Sequence, residues 1–154
     1  MVYNRIIKGA KPMFSGEYAH QLDEKNRIRI PAKYKAELGD KYVFCKGATK
    51  CIYVMPVAAF EKEAEKFSAI SLFDEEAQDA LSEFMASFFP AEEDKQGRIL
   101  LPENLRKYAK IDKNVVVFKG PNCVEIWSEE VWNNYFNNVD FGELADAFES
   151  LKDE

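Results

Sequence analysis

The sequence predicts an α+β fold in which two copies of one β-rich unit pair about a pseudo-twofold axis and close a common barrel flanked by amphipathic helices. Three observations lead there. Residues 22–31 (LDEKNRIRIP) return as residues 93–102 (EDKQGRILLP). The match keeps its register over about forty positions, which marks a duplicated structural unit. Each copy is also too short, at about 45 residues, to bury its own strands well. Asp23, Arg27 and Pro31 align with Asp94, Arg98 and Pro102 at an offset of 71, and Lys41, Cys51 and Phe60 align with Lys113, Cys123 and Trp132 at 72.

Both units carry the same punctuation. EYAHQL reads as a short strand that enters a bend at Glu24–Asn26, after which Arg27-Ile28-Arg29-Ile30 alternates polar and apolar, the period of a strand with one buried face. Pro31 and Pro102 are placed to open helices, because a first helical residue has no N–H bond to lose. Short helices should follow through AKYKAEL, stopping at Gly39, and through ENLRKYAK. Two strands come next in each unit, YVFC and CIYV in the first, VVVF and CVEIW in the second, joined by turns in KGATK and KGPN. A helix then closes each unit. Pro56 opens the first, and Ser128 is placed to cap the second, with Glu129 and Glu130 against the positive end of the helix dipole.

Between the units, Phe73, Ala77, Ala80, Leu81, Phe84 and Phe88 fall at helical spacing and predict an amphipathic connecting helix. Phe141, Leu144, Phe148 and Leu151 predict another at the far end. The resulting division is an extension at 1–12, a first module at 17–59, connecting helices at 60–87, a second module at 88–131 and a helical tail at 132–154. Phe84, Phe88, Trp132 and Phe136 are candidates for contacts between subunits.

The 154-residue chain is 47% hydrophobic, enough to bury a core, and its net charge is −6. That total hides a segregation: residues 1–41 are net +4 and residues 94–113 net +3, whereas 57–93 and 125–154 are each −8. Both basic stretches contain the repeated bend. A polyanion responds to the local field, screened over about 10 Å, and not to the chain total. Cys45, Cys51 and Cys123 lack metal-ligand spacing, and Cys51 and Cys123 sit in apolar runs, so reduced core thiols are expected. The N-terminal dozen residues contain no apolar stretch long enough for a signal peptide or membrane span, which predicts a cytoplasmic protein.

Within D-x-x-x-R the acid ends one strand and the arginine begins the next, so the pair faces itself across a hairpin where the carboxylate accepts from the turn and from the guanidinium. The bend is Lys-Asn in one copy and Gln-Gly in the other, and Asn26 and Gly97 are the residue types that tolerate positive φ. Lys25 and Lys95 project from the bend with Arg27 and Arg98 at its foot. Arg29 should face outward beside Arg27; Leu100 takes its place in the second copy, so the two loops should differ in affinity. Such loops suit phosphate contacts and bidentate reading of guanine in a major groove. Asp23, Asn26, Asp94 and Gly97 would support them. An ordinary hairpin with solvated lysines is the competing explanation.

MFSGEYAHQLDEKNRIRIPAKYKAEL (13–38), DKQGRILLPENLRKYA (94–109) and VEIWSEEVW (124–132) together closely resemble the MraZ family, bacterial regulators encoded at the head of the division and cell-wall gene cluster. The resemblance covers about residues 13–135. It implies two swapped-hairpin modules of the AbrB type and a DNA-binding transcriptional regulator, associated with the nucleoid, that assembles into rings, often octameric. It further implies contact with repeated operator boxes near its own promoter, commonly in repression, through Asp23, Lys25, Arg27, Asp94, Lys95 and Arg98. Double-stranded DNA and further copies of the chain are the implied partners, with no cofactor. Asn26 departs from the family's usual Gly, and FFPAEED (88–94) is shorter than the family's strand before the second motif.

Two other readings compete. An enzyme would need a nucleophile with a base, but His20 is a lone histidine on a predicted strand, the acidic runs lie on helix faces, and KGATK and KGPN lack the spacing of a phosphate loop. A non-enzymatic interaction module, antitoxin-like or a structural ring, would rest on the acidic tail helix.

Overall fold

In a computed structural model of the chain, which describes residues 17–120, 122–137 and 141–152, each unit sends its first strand into the other. Strand β1 (Glu17–Gln21) pairs antiparallel with β7 (Asn114–Lys119), and β5 (Phe89–Pro90) pairs with β3 (Tyr42–Lys46). The hairpins β3–β4 (β4, Ile52–Pro56) and β7–β8 (β8, Val124–Ser128) join through β4 and β8, with Val54 opposite Val124. The result is a six-stranded antiparallel sheet ordered β1-β7-β8-β4-β3-β5. A second, two-stranded sheet pairs β2 (Arg27–Ile28) with β6 (Ile99–Leu100), again one strand from each unit.

The expected α+β class is present, but neither sheet closes on itself. The six-stranded sheet ends at β1 on one side and at β5 on the other. Whereas β1 pairs over five residues, β5 pairs over two, with Pro90 at an edge where its missing N–H costs no ladder bond and Ala91 N donating to Tyr42 O at 2.9 Å beyond it. The short FFPAEED segment thus forms one edge of the sheet. The proposed N-terminal extension, residues 1–12, lies outside the described residues.

Helices follow in the predicted places. After β2, α1 (Ala32–Leu38) covers AKYKAEL and stops at Gly39, whose φ of 74° no β-carbon would favour. Its counterpart α4 (Glu103–Tyr108) follows β6. Pro31 and Pro102 sit one position earlier than expected, as extended N-cap residues with ψ of 135° and 144°. α2 (Val57–Ala64) runs into a 3-10 turn at Glu65–Ala69. α3 (Glu75–Ala86) is capped by Asp74, whose side chain accepts from Ala77 N at 3.1 Å. α5 (Glu129–Asn137) receives a long cap bond, 3.4 Å, from Val131 N to Ser128 Oγ, and α6 (Phe141–Lys152) ends the described chain.

The strands alternate between two buried faces, which is why they read as near-continuous apolar runs. On one face Tyr42, Phe44, Ile52, Val54, Val115, Val117, Val124 and Ile126 pack with Ile28, Ile30, Ile99 and Leu101 and with Tyr34, Leu38 and Leu105 of α1 and α4. On the other, Val43, Cys45 and Met55 meet Phe60, Phe84 and Phe88, while Cys51, Val116 and Trp127 meet Trp132 and Phe136. Phe60 and Trp132, equivalent in the repeat, thus seat equivalent helices on the outer face. All three cysteines are free and buried. Burial pushes the Cys45 thiol up to about 11 and those of Cys51 and Cys123 to about 12, so they behave as small apolar side chains.

Two expectations are corrected. Phe73 does not lie on the apolar stripe of α3: it sits in the turn before the Asp74 cap and is 96% exposed. Trp132, a candidate for subunit contacts, is only 2% exposed within its own chain, with its ring at an angle against those of Phe118, Trp127 and Phe136.

Leu101 is fully buried where both units meet, while its neighbour Leu100 is 58% exposed. Leu101→Ala should lower unfolding free energy by about 2–5 kcal/mol in a denaturant melt, and Leu100→Ala by no more than about 0.5 kcal/mol.

Candidate nucleic-acid interface

The repeated bend folds the same way twice. Asp23 N donates to Arg27 O (3.1 Å) and Asn26 N to Asp23 O (3.0 Å); Asp94 N donates to Arg98 O (2.9 Å) and Gly97 N to Asp94 O (3.0 Å). Each loop holds three residues, the third in the left-handed region, with φ of 59° at Asn26 and 76° at Gly97. That is the common three-residue hairpin geometry, and it explains why Asn and Gly stand at equivalent positions.

The aspartates organise the loops. Asp23 Oδ1 accepts from the backbone N–H of Lys25 and of Arg27, both at 2.9 Å, and Oδ2 accepts from Arg27 Nε at 2.8 Å. Asp94 repeats this with Gln96 N (2.8 Å), Arg98 N (2.9 Å) and Arg98 Nε (2.8 Å). In both cases the arginine's backbone N–H is the main influence holding the carboxyl below its ordinary value. The carboxylate takes Nε and so anchors each guanidinium at its base.

Pairing of β2 with β6 sets the loops side by side. Arg27 lies opposite Leu100 and Ile28 opposite Ile99, Leu101 N donates to Asn26 O at 3.0 Å, and Arg27 Nη1 reaches Asp94 Oδ2 at 3.5 Å. Asp94 therefore serves a guanidinium from each unit. Ile28 and Ile99 point into the core; Lys25, Lys95 and Arg29 are exposed, and Arg27 and Arg98 are half-buried at the foot of their loops. Every residue proposed from the sequence for this surface is brought to one face. Arg29 points outward as expected, with Leu100 exposed in the equivalent place.

Three further residues escaped the sequence reading. Glu93 accepts from Lys35 Nζ at 2.9 Å and from Tyr42 OH at 2.6 Å, bracing the strand that enters the second loop. The Lys35 bond, then the Tyr42 bond, holds the Glu93 carboxyl low, while burial and Glu93 push the Tyr42 phenol up. Nothing in the repeat signals this brace, since Glu93 aligns with Leu22 and Lys35 with Arg106, which instead donates Nε to Leu101 O at 2.9 Å. His20 lies half-buried on the edge strand β1, three residues before Asp23, its pKa lowered by burial. Among the described residues no group of His, Cys, Asp and Glu could hold a metal ion, and no helix is long and apolar enough to cross a membrane.

Residues 13–83 and 89–153 match the family described as "MraZ protein, putative antitoxin-like". The chain belongs to the MraZ family. Among MraZ relatives, one from Carboxydothermus hydrogenoformans is 44% identical over 127 residues, covering 82% of this chain and 89% of the relative. Another, from Thermoanaerobacter pseudethanolicus, is 41% identical over 141 residues, covering 90% and 99%. A third, from Clostridium beijerinckii, is 40% identical over 140 residues, again covering 90% and 99%. All three carry the name "Transcriptional regulator MraZ". The MraZ match falls in two segments that divide between the repeated units.

Two outcomes follow from the loop geometry. Asn26→Gly should leave stability within about 0.5 kcal/mol of the parent, whereas Asn26→Val should lower it by about 1–2 kcal/mol, read in paired denaturant melts. Asp23, Asp94 and Glu93 have lowered folded-state pKa values, so their stabilisation is present above the ordinary values of 3.8 and 4.5 and is lost as pH falls through the lowered ones. Thermal melts across acid pH should show a smaller acid loss in Asp94→Asn than in the parent.

Proposed function

We propose that this chain is a sequence-specific DNA-binding regulator of transcription that reads repeated promoter boxes of the division and cell-wall gene cluster through its two D-x-x-x-R loops. The observation that carries the reading is the side-by-side placement of two geometrically equivalent loops, each presenting an arginine held at Nε by its own aspartate. In this reading Lys25, Arg29 and Lys95 supply phosphate contacts, and Arg27 and Arg98 supply hydrogen bonds to guanine, with Arg27 Nη1 leaving its 3.5 Å ion pair with Asp94 to do so. The names of the relatives agree with it, and regulation by DNA binding in the cytoplasm, at the nucleoid, needs neither catalysis nor a cofactor.

The exchange of β1 and β5 between units supports reading residues 17–59 and 88–131 as two swapped-hairpin modules of the AbrB type, with 60–87 linking them and 132–154 as a helical tail. One pair of loops spans few base pairs, so we read the functional form as a ring in which several copies engage successive boxes and gain effective concentration. Exposed apolar side chains at Leu72, Phe73, Phe148 and Leu151 suit such assembly. The same side chains would serve an antitoxin-like interaction module that does not read DNA.

Gel-shift titration on the region upstream of the chain's own gene separates the two. Arg27→Ala and Arg98→Ala should each weaken binding by about 1–3 kcal/mol, roughly five- to 150-fold, and raising salt should weaken the parent steeply. Unchanged binding in both variants would remove the loops from the interface, and no binding by the parent would favour the interaction module.

A further inference from the structure

We propose that Leu100 is a specificity-determining residue that receives the 5-methyl group of a thymine next to the base pair read by Arg27. The inference rests on the DNA-reading role proposed above and assigns a task to the place where the repeat breaks its own pattern.

The β2–β6 ribbon turns Ile28 and Ile99 into the core. By alternation its outward face carries Arg27, Arg29, Arg98 and Leu100. A two-stranded antiparallel ribbon is one of the two elements that a B-form major groove, about 12 Å wide, admits. Residues two apart on one strand are separated by about 6.8 Å, which is two base steps of about 3.4 Å. Directly opposed residues stand about 4.5–5.5 Å apart. Leu100 is directly opposite Arg27, so a ribbon seated on the bases holds the two side chains over neighbouring base pairs.

An isolated exposed leucine is ordinary on a protein surface. This one is distinguished by its company: the other three outward positions are arginines, and its repeat equivalent is Arg29. Leu100 neither donates nor accepts a hydrogen bond, so it cannot read guanine, adenine or cytosine edges as its neighbours can. The apolar feature offered by the major groove is the thymine methyl. With 58% of its surface exposed, Leu100 has area left to bury against that group. Burying one methyl should be worth about three- to tenfold in affinity.

The test uses the full-length chain and duplexes enriched by it from a random pool. Each thymine of the enriched box is replaced in turn by deoxyuridine, which removes the methyl and leaves the hydrogen-bonding edge intact, and Kd is measured by fluorescence anisotropy. One position should lose three- to tenfold with the parent. Leu100→Ala should bind the thymine and deoxyuridine duplexes equally, near the parent's Kd for deoxyuridine, while keeping the guanine preferences. Replacing that thymine by cytosine or by 5-methylcytosine, each paired with guanine, gives a second reading on the parent that needs no variant: the methylated base should bind three- to tenfold tighter than the unmethylated one there, and methylating cytosines elsewhere in the box should not tighten binding. The proposal is overturned if no thymine responds to loss of its methyl, if Leu100→Ala keeps the deoxyuridine penalty, or if that variant changes assembly size by light scattering, which would place Leu100 between subunits. Failure to enrich any duplex would overturn DNA reading altogether; enrichment with arginine dependence but no methyl effect would overturn only the role of Leu100.

Discussion

The pairing of β2 with β6 is the constraint on which the rest of the molecule depends. It involves two residues from each unit, yet beneath it Ile28 and Ile99 are buried together, flanked by Ile30 and Leu101. A two-residue ladder has little strength of its own, so the core under it supplies the register. Slipping by one position would turn Ile28 and Ile99 out to solvent and bring guanidiniums inward. The register therefore fixes at once what is buried and which charged groups share a face. The exchange of β1 and β5 works in the same direction, since neither unit can complete its sheet without a strand from the other.

Charge in the loops is arranged for geometry before it is arranged for attraction. Each aspartate uses one oxygen to close its turn and the other to hold a guanidinium by Nε. An arginine restrained in this way loses less conformational freedom on meeting a planar acceptor pair. The acids lower the net charge of the surface, but the lysines at the tips and Arg29 keep it basic. Most of the acidic side chains lie elsewhere, on α2, α3 and α5, which pack against the outer face of the sheet, and on α6.

Much of this was legible in the sequence because the repeat makes each unit a commentary on the other. Asn26 and Gly97 mark one backbone conformation in two chemistries, and the alternation in RIRI states which side of the ribbon is buried. The helix over AKYKAEL and its stop at Gly39 are local matters of propensity and capping. What resisted reading was non-local. The sheet stays open because β1 and β5 are left at its two edges, and no periodicity says where a strand will fail to find a partner. Spacing puts Phe73 on a helix, but the Asp74 cap starts that helix after it. The Glu93 brace joins residues 58 and 51 positions apart, and it has no twin in the first unit to betray it.

That missing twin and the exchange of Arg29 for Leu100 share a consequence. A symmetric dimer of one small unit looks the same from either end of a duplex, so it matches palindromes. Fusing two units into one chain lets each half drift separately, and here the halves have drifted on the very face that carries the loops. A reader of this kind has a head and a tail. In the role proposed, its boxes would need to point the same way along the promoter, and a row of them would carry an arrow.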